Sequence, residues 1–339
     1  MVRFLVFSDL HYKKGMYAVK VQHLKDILNR AHENHVDFVL HAGDFSNDYS
    51  GSPEIVKNYL ENEYGLSVYG VYGNHELESK NNSMEVVTPF LTNEPHVVWG
   101  TQNGTIGDGS IGYYYFEKNG YRFVCVDTNY SYNEKTQAWE HNHTASWGAP
   151  AGNLYPDSLG PEQLQWLGSV LTDAAQQGIP CILVSHAGFV SGRKCSPDTE
   201  AVQTLIRKVN GITAGTVKMC INGHYHTNHL EMKEDVLYFD VNASINGSWV
   251  PKKEPHYTDA HTFPLESYNS QGEYQGTETV PLSKLWQSVN THYFRDPLSA
   301  IVTIADDGTI KVTGSETRWL YDVAPVDPLS GIMPRISTL

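Results

Sequence analysis

Five short apolar stretches of the chain each run into residues that can grip a cation. Val2 to Phe7 leads into Ser8-Asp9-Leu10-His11, and Val36 to Leu40 into His41-Ala42-Gly43-Asp44. Leu66 to Tyr72 leads into Gly73-Asn74-His75-Glu76, Pro180 to Val184 into Ser185-His186, and Val217 to Ile221 into Asn222-Gly223-His224-Tyr225-His226. The donors are hard oxygens and imidazole nitrogens with no thiolate, a mixture that suits manganese, iron, zinc or a similar ion rather than a structural cysteine site. Asp9, His11, Asp44, Asn74, His186, His224 and His226 are too many for one ion. A carboxylate shared between two ions would distribute them. Two ions about 3.5–4 Å apart can clamp a phosphoryl group and hold a hydroxide between them for in-line attack.

Such a site needs a scaffold that brings distant stretches together. The apolar runs, with Arg122 to Val126 and Val236 to Phe239 added, are rich in Val, Ile, Phe and Tyr and mostly apolar throughout. Strands covered on both faces read this way. In parallel sheets the carboxyl ends share one edge, and ligands bind there. Helical periodicity separates the runs, which predicts an α/β fold. Ala18 to His32 places Val21, Leu24, Ile27, Leu28 and Ala31 on one stripe. Pro161 opens a second helix that Gly178 and Pro180 close. A third is predicted from Asp198 to Asn210, with Gly211 as its stop. Residues 128–159 and 251–296 are long, polar and aromatic and fit no such alternation; loops of that length are usually functional or disordered. Ser299 to Ile304 and Thr309 to Thr313 flank Asp307-Gly308 and predict a late hairpin. The expected organisation is one domain over 1–320, with core motifs in 1–245, a polar insert at 251–296, the hairpin at 299–313 and a tail at 321–339.

Composition narrows the partners. Of 339 residues, 38 are acidic and 24 basic, a formal net charge of −14. A non-specific nucleic-acid binder needs a basic stripe, so such a partner is not expected. A small anionic substrate is compatible, because bound cations reverse the local field. No apolar run is long enough for a transmembrane helix, and the start shows no signal-peptide pattern, so the expected location is cytoplasmic and away from the membrane. Cys125, Cys181, Cys195 and Cys220 show no Cys-x-x-Cys spacing, and three of them sit inside apolar runs as small hydrophobes. The oligomeric state is not encoded in any pattern.

The blocks Asp9-Leu10-His11, Gly43-Asp44, Gly73-Asn74-His75-Glu76, His186 and Gly223-His224-Tyr225-His226 resemble, in order and spacing, those of the calcineurin-like metallophosphoesterases. The likeness runs from residue 1 to about 245, and the final third carries no equivalent signature. It implies two mixed β-sheets in a sandwich flanked by helices, with two divalent or mixed-valence ions (manganese, iron, zinc or similar) at one end. It implies that Asp9, His11 and His226 hold the first ion, that Asn74, His186 and His224 hold the second, and that Asp44 bridges them. His75 would be catalytic, facing the leaving-group oxygen as proton or hydrogen-bond donor. Two departures matter. The family's protein Ser/Thr phosphatases continue the second block as Gly-Asp-x-x-Asp-Arg-Gly, whereas here it reads Gly43-Asp44-Phe45-Ser46-Asn47-Asp48-Tyr49 without the arginine, which disfavours a phosphoprotein substrate. Purple acid phosphatases lack the first-block histidine, and His11 is present. The reading is a metal-dependent hydrolase of a small phosphodiester or phosphomonoester. The alternatives are a non-catalytic metal-binding scaffold and a nuclease.

Other residues have plainer readings. His41, three positions before Asp44, is expected on the opposite strand face and structural. Asp127 ends another apolar run and reads either as support for the site or as a turn cap. Trp139, His141, His143 and Trp147 would wall a substrate pocket or decorate a surface loop. His256, His261 and His292 carry no spacing argument and are read as solvated. Asn47, Asp48 and Glu76 are candidates by position for orienting His75.

Overall fold

The computed structural model describes residues 1–12, 18–46, 65–76, 91–92, 94–102, 105–106, 112–141, 153–190, 196–249, 256–268, 274–284 and 291–324. Two mixed sheets organise them. The first orders Ile310–Gly314, Ala300–Ile304, Val2–Phe7, Phe38–His41 and Val68–Gly70; the last three run parallel, and the late pair joins antiparallel to Val2–Phe7. The second places Tyr121–Cys125, Cys181–Val184, Val217–Asn222 and Val236–Asp240 in parallel, with antiparallel strands at both sides. The sheets meet at the bridge between Ser8 and Ala243.

The second sheet shows why its strands are apolar throughout. Phe123, Cys125, Ile182, Val184, Met219, Ile221, Leu237 and Phe239 face the first sheet in one core. Their alternates Val124, Val126, Cys181, Leu183, Val217, Cys220, Val236 and Tyr238 face helices in a second core. With side chains alternating along a strand, both faces must then be hydrophobic. Phe4 stacks on Phe38 at 5.1 Å and meets Phe123 edge-on at 5.3 Å, stitching sheet to sheet. Each such pair adds about 0.5–1.5 kcal/mol beyond its buried area. Helix Ala18–Glu33 buries Leu24, Ile27, Leu28 and Ala31 in the first core, while helices Gly160–Gln177 and Thr199–Ile212 cover the second. The layers are therefore helix, sheet, sheet, helix, as the resemblance implies.

Three details differ from expectation. The third helix runs through Gly211 to Ile212 and stops at Thr213, whose backbone is extended, so Gly211 is no C-terminal stop. Residues 128–159 are not simply loop: Tyr130–Asn133 pairs with both Ala138–His141 and Asn153–Ser158 in a small antiparallel sheet. Its polar residues hid it, since only part of one face is covered. In the region read as a polar insert, Thr262–Tyr268 and Tyr274–Pro281 form an antiparallel ribbon, and Thr291–Tyr293 pairs with Asn246–Trp249. Among the described residues no helix is long and apolar enough to cross a membrane.

Candidate metal centre

The donor-type residues follow directly on the strands. Asp9 and His11 come after Val2–Phe7, Asp44 after Phe38–His41, Asn74 and His75 after Val68–Gly70, His186 after Cys181–Val184, and His224 and His226 after Val217–Asn222. All five strands run parallel within their sheets, so these turns crowd one edge.

The turns are conformationally unusual. Asp9 (φ 51°), His11 (φ 49°), Asp44 (φ 50°), His224 (φ 73°) and His226 (φ 54°) all adopt left-handed backbone. Each non-glycine residue in that region costs on the order of 1 kcal/mol or more and persists only where neighbours fix it. Hydrogen bonds between the turns do so: Asp9 N–H donates to Gly43 O (3.0 Å), His11 N–H to Asp44 O (2.8 Å) and His224 N–H to Asp9 Oδ2 (3.0 Å). Ser8 Oγ–H also donates to Asp9 Oδ2. The turns approach so closely that a Cβ on Gly73 would lie 2.0 Å from Asp44 Oδ1, and one on Gly223 would lie 1.9 Å from Ser8 Oγ. Only glycine fits there.

The side chains converge. Asp9, His11 and His226 can each place a donor atom within 4.8 Å of the others; so can His11, Asp44 and His75, and so can Asp44, His186 and His224. Asp44 Oδ2 lies 3.1 Å from His186 Nε2, 3.9 Å from His11 Nε2 and 4.0 Å from His75 Nε2, so this carboxylate stands between the two histidine groups. His226 Nε2 is 3.3 Å from Asp9 Oδ1. Ring nitrogens meet in pairs, His11 Nε2 with His226 Nε2 at 3.1 Å and His186 Nε2 with His224 Nδ1 at 3.2 Å. His186 is oriented by its other nitrogen, Nδ1, which lies 2.7 Å from Ala42 O.

The electrostatics follow from burial and pairing. Asp9, His11, Asp44, His186 and His226 are all buried. Burial alone would raise the Asp9 carboxyl, but the His226 hydrogen bond and the charges of His226 and His186 outweigh it and bring it down to about 2. Burial likewise opposes the charge on Asp44, yet His186, His75 and His11 hold it well below the usual carboxylate range. Burial would lower His186, and the Asp44 carboxylate instead pushes it up to about 10. Carboxylates and imidazoles this close demand positive charge, which protons or a metal ion can supply.

Whether the residues fit cations can be tested on Asn74. Its Oδ1 is buried and makes no hydrogen bond among the described residues. An orphaned amide oxygen costs about 1–3 kcal/mol unless something coordinates it. Together with paired imidazoles facing one another across a carboxylate, that oxygen fits oxygen- and nitrogen-preferring ions.

Glu76 does more than position alone indicated. Fully buried, it accepts Asp44 N–H (3.1 Å) and Gly73 N–H (2.6 Å) on Oε2 and Ser46 N–H (3.0 Å) on Oε1. It staples the second and third turns together. Burial and the Asp44 charge push its carboxyl up to about 8 against the pull of those N–H groups. His75 itself is tied through its backbone N–H to Asp44 Oδ1 at 2.8 Å. Asn47 and Asp48, the other candidates for orienting it, lie outside the described residues, as do His143, Trp147 and Cys195. The signal that could have singled out Glu76 is a carboxylate in a turn otherwise given over to donors and glycine.

His41 is structural: its ring packs on Phe45 at 4.7 Å and over Gly70, outside the donor cluster. Asp127 follows the turn-cap reading. It caps a turn through Asn129 N–H (2.9 Å) and Nδ2 (2.8 Å), and His141 Nε2 lies 2.6 Å from its other oxygen. Trp139 borders a cavity with Tyr113 and Tyr130. The solvated reading is corrected for His292, which is buried, stacked on His256 at 3.9 Å and met by Trp319; His256 and His261 stay partly exposed, with His261 stacked on Tyr321 at 4.7 Å. Cys125, Cys181 and Cys220 are buried free thiols.

A helix–sheet–sheet–helix sandwich with Asp and His donors crowding its strand ends defines a class of metal-dependent phosphoesterases. A family model for calcineurin-like phosphoesterases matches residues 2–228, and the chain belongs to that family. Among solved structures it is similar to a dimetal phosphatase from Danio rerio, at 15% identity and a TM-score of 0.56, covering 94% of this chain and 98% of that one. It is also similar to GAP50, the anchor in the inner membrane complex of Plasmodium, at 10% identity and a TM-score of 0.46, covering 100% of this chain and 89% of that one. No curated protein sequence matches the chain.

Proposed function

We propose that the chain hydrolyses a small phosphodiester or phosphomonoester at a centre of two divalent or mixed-valence cations bridged by Asp44, with Asp9, His11 and His226 on one ion and Asn74, His186 and His224 on the other. Membership of the calcineurin-like family supports metal-dependent phosphoester hydrolysis in general. The observation that carries the finer reading is Asp44, whose Oδ2 is approached by His11, His75 and His186 at 3.1–4.0 Å from three different turns.

When bound, the cations supply Lewis acidity, neutralising charge on phosphoryl oxygens and making water a competent nucleophile at neutral pH. The protein's part is placement. Ala42 O accepts from His186 Nδ1–H, which fixes the ring's orientation and turns Nε2, 3.1 Å from Asp44 Oδ2, toward the position a cation would take. His75 sits edge-on to His11 at 4.7 Å and is partly open, with 16% of its side chain exposed, which suits a residue that must reach a substrate oxygen. It donates a proton to the leaving oxygen opposite the attacking water. The sequence carries no phosphate-gripping arginine in the second block, in keeping with a small substrate rather than a phosphoprotein.

The test is His75→Ala assayed on aryl phosphate mono- and diesters with added Mn²⁺. We expect kcat to fall about 10²–10⁴-fold with both metals retained by elemental analysis. Activity close to that of the unmodified protein would overturn the role of His75.

A further inference from the structure

A cavity of about 340 Å³ opens where Tyr130 and Trp139 of the small sheet face Tyr113 and the first turn of helix Gly160–Gln177, with Pro161, Glu162 and Gln163 in its wall. That volume falls in the range of ordinary small-molecule sites. The walls are braced. Trp139 is held edge-on by Tyr132 at 5.8 Å and lies over Gly160, whose left-handed backbone (φ 72°) lets the helix begin beneath the indole. Tyr113 is backed by Trp166 at 4.9 Å. Rigid aromatic faces need little ordering when a flat ligand arrives.

A row of neighbouring residues links one wall of the cavity to the turn that carries Asn74. Gln163 in its wall donates to Asp127 O (2.7 Å) and accepts from Asp127 N–H (2.8 Å). Asp127 holds His141, whose ring meets Tyr130 at 5.0 Å and Tyr72 at 6.3 Å. Tyr72 leads straight into Gly73 and Asn74. The topology agrees, since helix Gly160–Gln177 begins at the same sheet edge on which Tyr121–Cys125 ends.

The chemistry of the wall selects among ligands. Burial first, then the charges of Glu162 and Asp127, push the Tyr113 phenol up to about 12, and burial with the same carboxylates raises Tyr130 further. Both phenols carry their proton at neutral pH, as any ordinary phenol does, and can donate it, while Glu162 and Asp127 make the field negative, which repels a phosphate. A small quaternary ammonium would leave most of the space unfilled. A flat ring offering N–H donors to Glu162 and acceptors to the phenols fills it.

We infer that this cavity binds the organic part of the substrate, a planar N–H-bearing heterocycle of the nucleobase class, while its phosphate lies at the Asp44 centre. The inference rests on the phosphoester reading for its second half only. Stacking of a base on an aromatic side chain is worth about 1–3 kcal/mol, so loss of one face weakens binding roughly fivefold to a hundredfold.

The experiment titrates adenosine, and separately choline, into the full chain while tryptophan fluorescence is followed. Adenosine should quench saturably, Trp139→Ala should weaken adenosine binding about tenfold or more by calorimetry, and choline should do neither. Glu162→Gln, which leaves the packing in place, should weaken adenosine about threefold or more, and keeps the test open if Trp139→Ala does not fold. With Mn²⁺ present, the ratio of kcat/KM on adenosine monophosphate to that on glycerol phosphate should fall about tenfold in Trp139→Ala. No adenosine binding, binding of choline instead, or equal loss on both esters overturns the inference. If adenosine binds but no phosphate ester is turned over, the phosphoester reading fails and the heterocycle site stands.

Discussion

Among the described residues histidines gather in two places, and the two gatherings face different partners. At the strand-end edge, His11, His186, His224 and His226 crowd around Asp9 and Asp44, on backbone that is left-handed at five non-glycine residues. In the C-terminal region, His256 and His292 stack face to face, with His256 Nε2 2.9 Å from Thr291 O and His292 Nδ1 3.0 Å from Val323 O. The first group faces carboxylates, which pull positive charge in and raise His186 to about 10. The second faces backbone carbonyls and aromatic rings. Burial there lowers the His292 imidazole, and the neighbouring His256 lowers it further against the pull of the Val323 carbonyl. Imidazoles alone do not make a site; the carboxylates shared among them do, and so does the strain spent on aiming them.

The sharpest way to break this contrast is to remove the shared carboxylate. Asp44→Ala should lower the metal content measured by elemental analysis from two ions to fewer than one, with kcat/KM falling on the order of a thousandfold or more. Two ions retained by the variant would mean that Asp44 bridges nothing. A middle-sized effect is expected from Glu76→Ala. Three buried N–H groups would lose their acceptor, costing about 3 kcal/mol in denaturant unfolding at neutral pH and loosening metal affinity. A variant as stable as the parent would show that the turns hold each other without the staple.

The smallest effect should come from the second cluster, and its sign is fixed by linkage. The native His292 pKa is lowered from its ordinary 6.5, so the unfolded chain binds more protons and stability falls as pH drops below about 6.5. His292→Phe should flatten the decline in Tm between pH 7 and pH 5 by an amount corresponding to about 1 kcal/mol or less, leaving metal content untouched. A loss of metal in that variant would erase the distinction between the clusters.

The alternation of apolar runs with periodic helices, and the donors that follow the runs, were legible residue by residue. Val2 to Phe7 followed by Asp9 and His11 needs no structure to be noticed. The site's supports were harder to read. Glu76 works by accepting N–H groups from two turns more than twenty-five residues apart, and no local pattern announces that. The small sheet around Tyr130 and Trp139 was hidden because its residues are polar and its pairing is irregular, with a register shift between Leu154 and Ser158. His292 looked solvated because nothing in its neighbourhood along the chain foretells the Trp319 and His256 rings that cover it.

From its sequence alone this protein's fold class, its seven candidate ligands and its membership of a phosphoesterase-like family could be read, because hydrophobic period and donor type are local properties of a chain. How closely the histidines approach Asp44, which glutamate locks the turns and which aromatics enclose a cavity were decided by the tertiary structure. Those are distances between residues far apart in sequence, and they come into being only when two twisted sheets pack and bring their edges together.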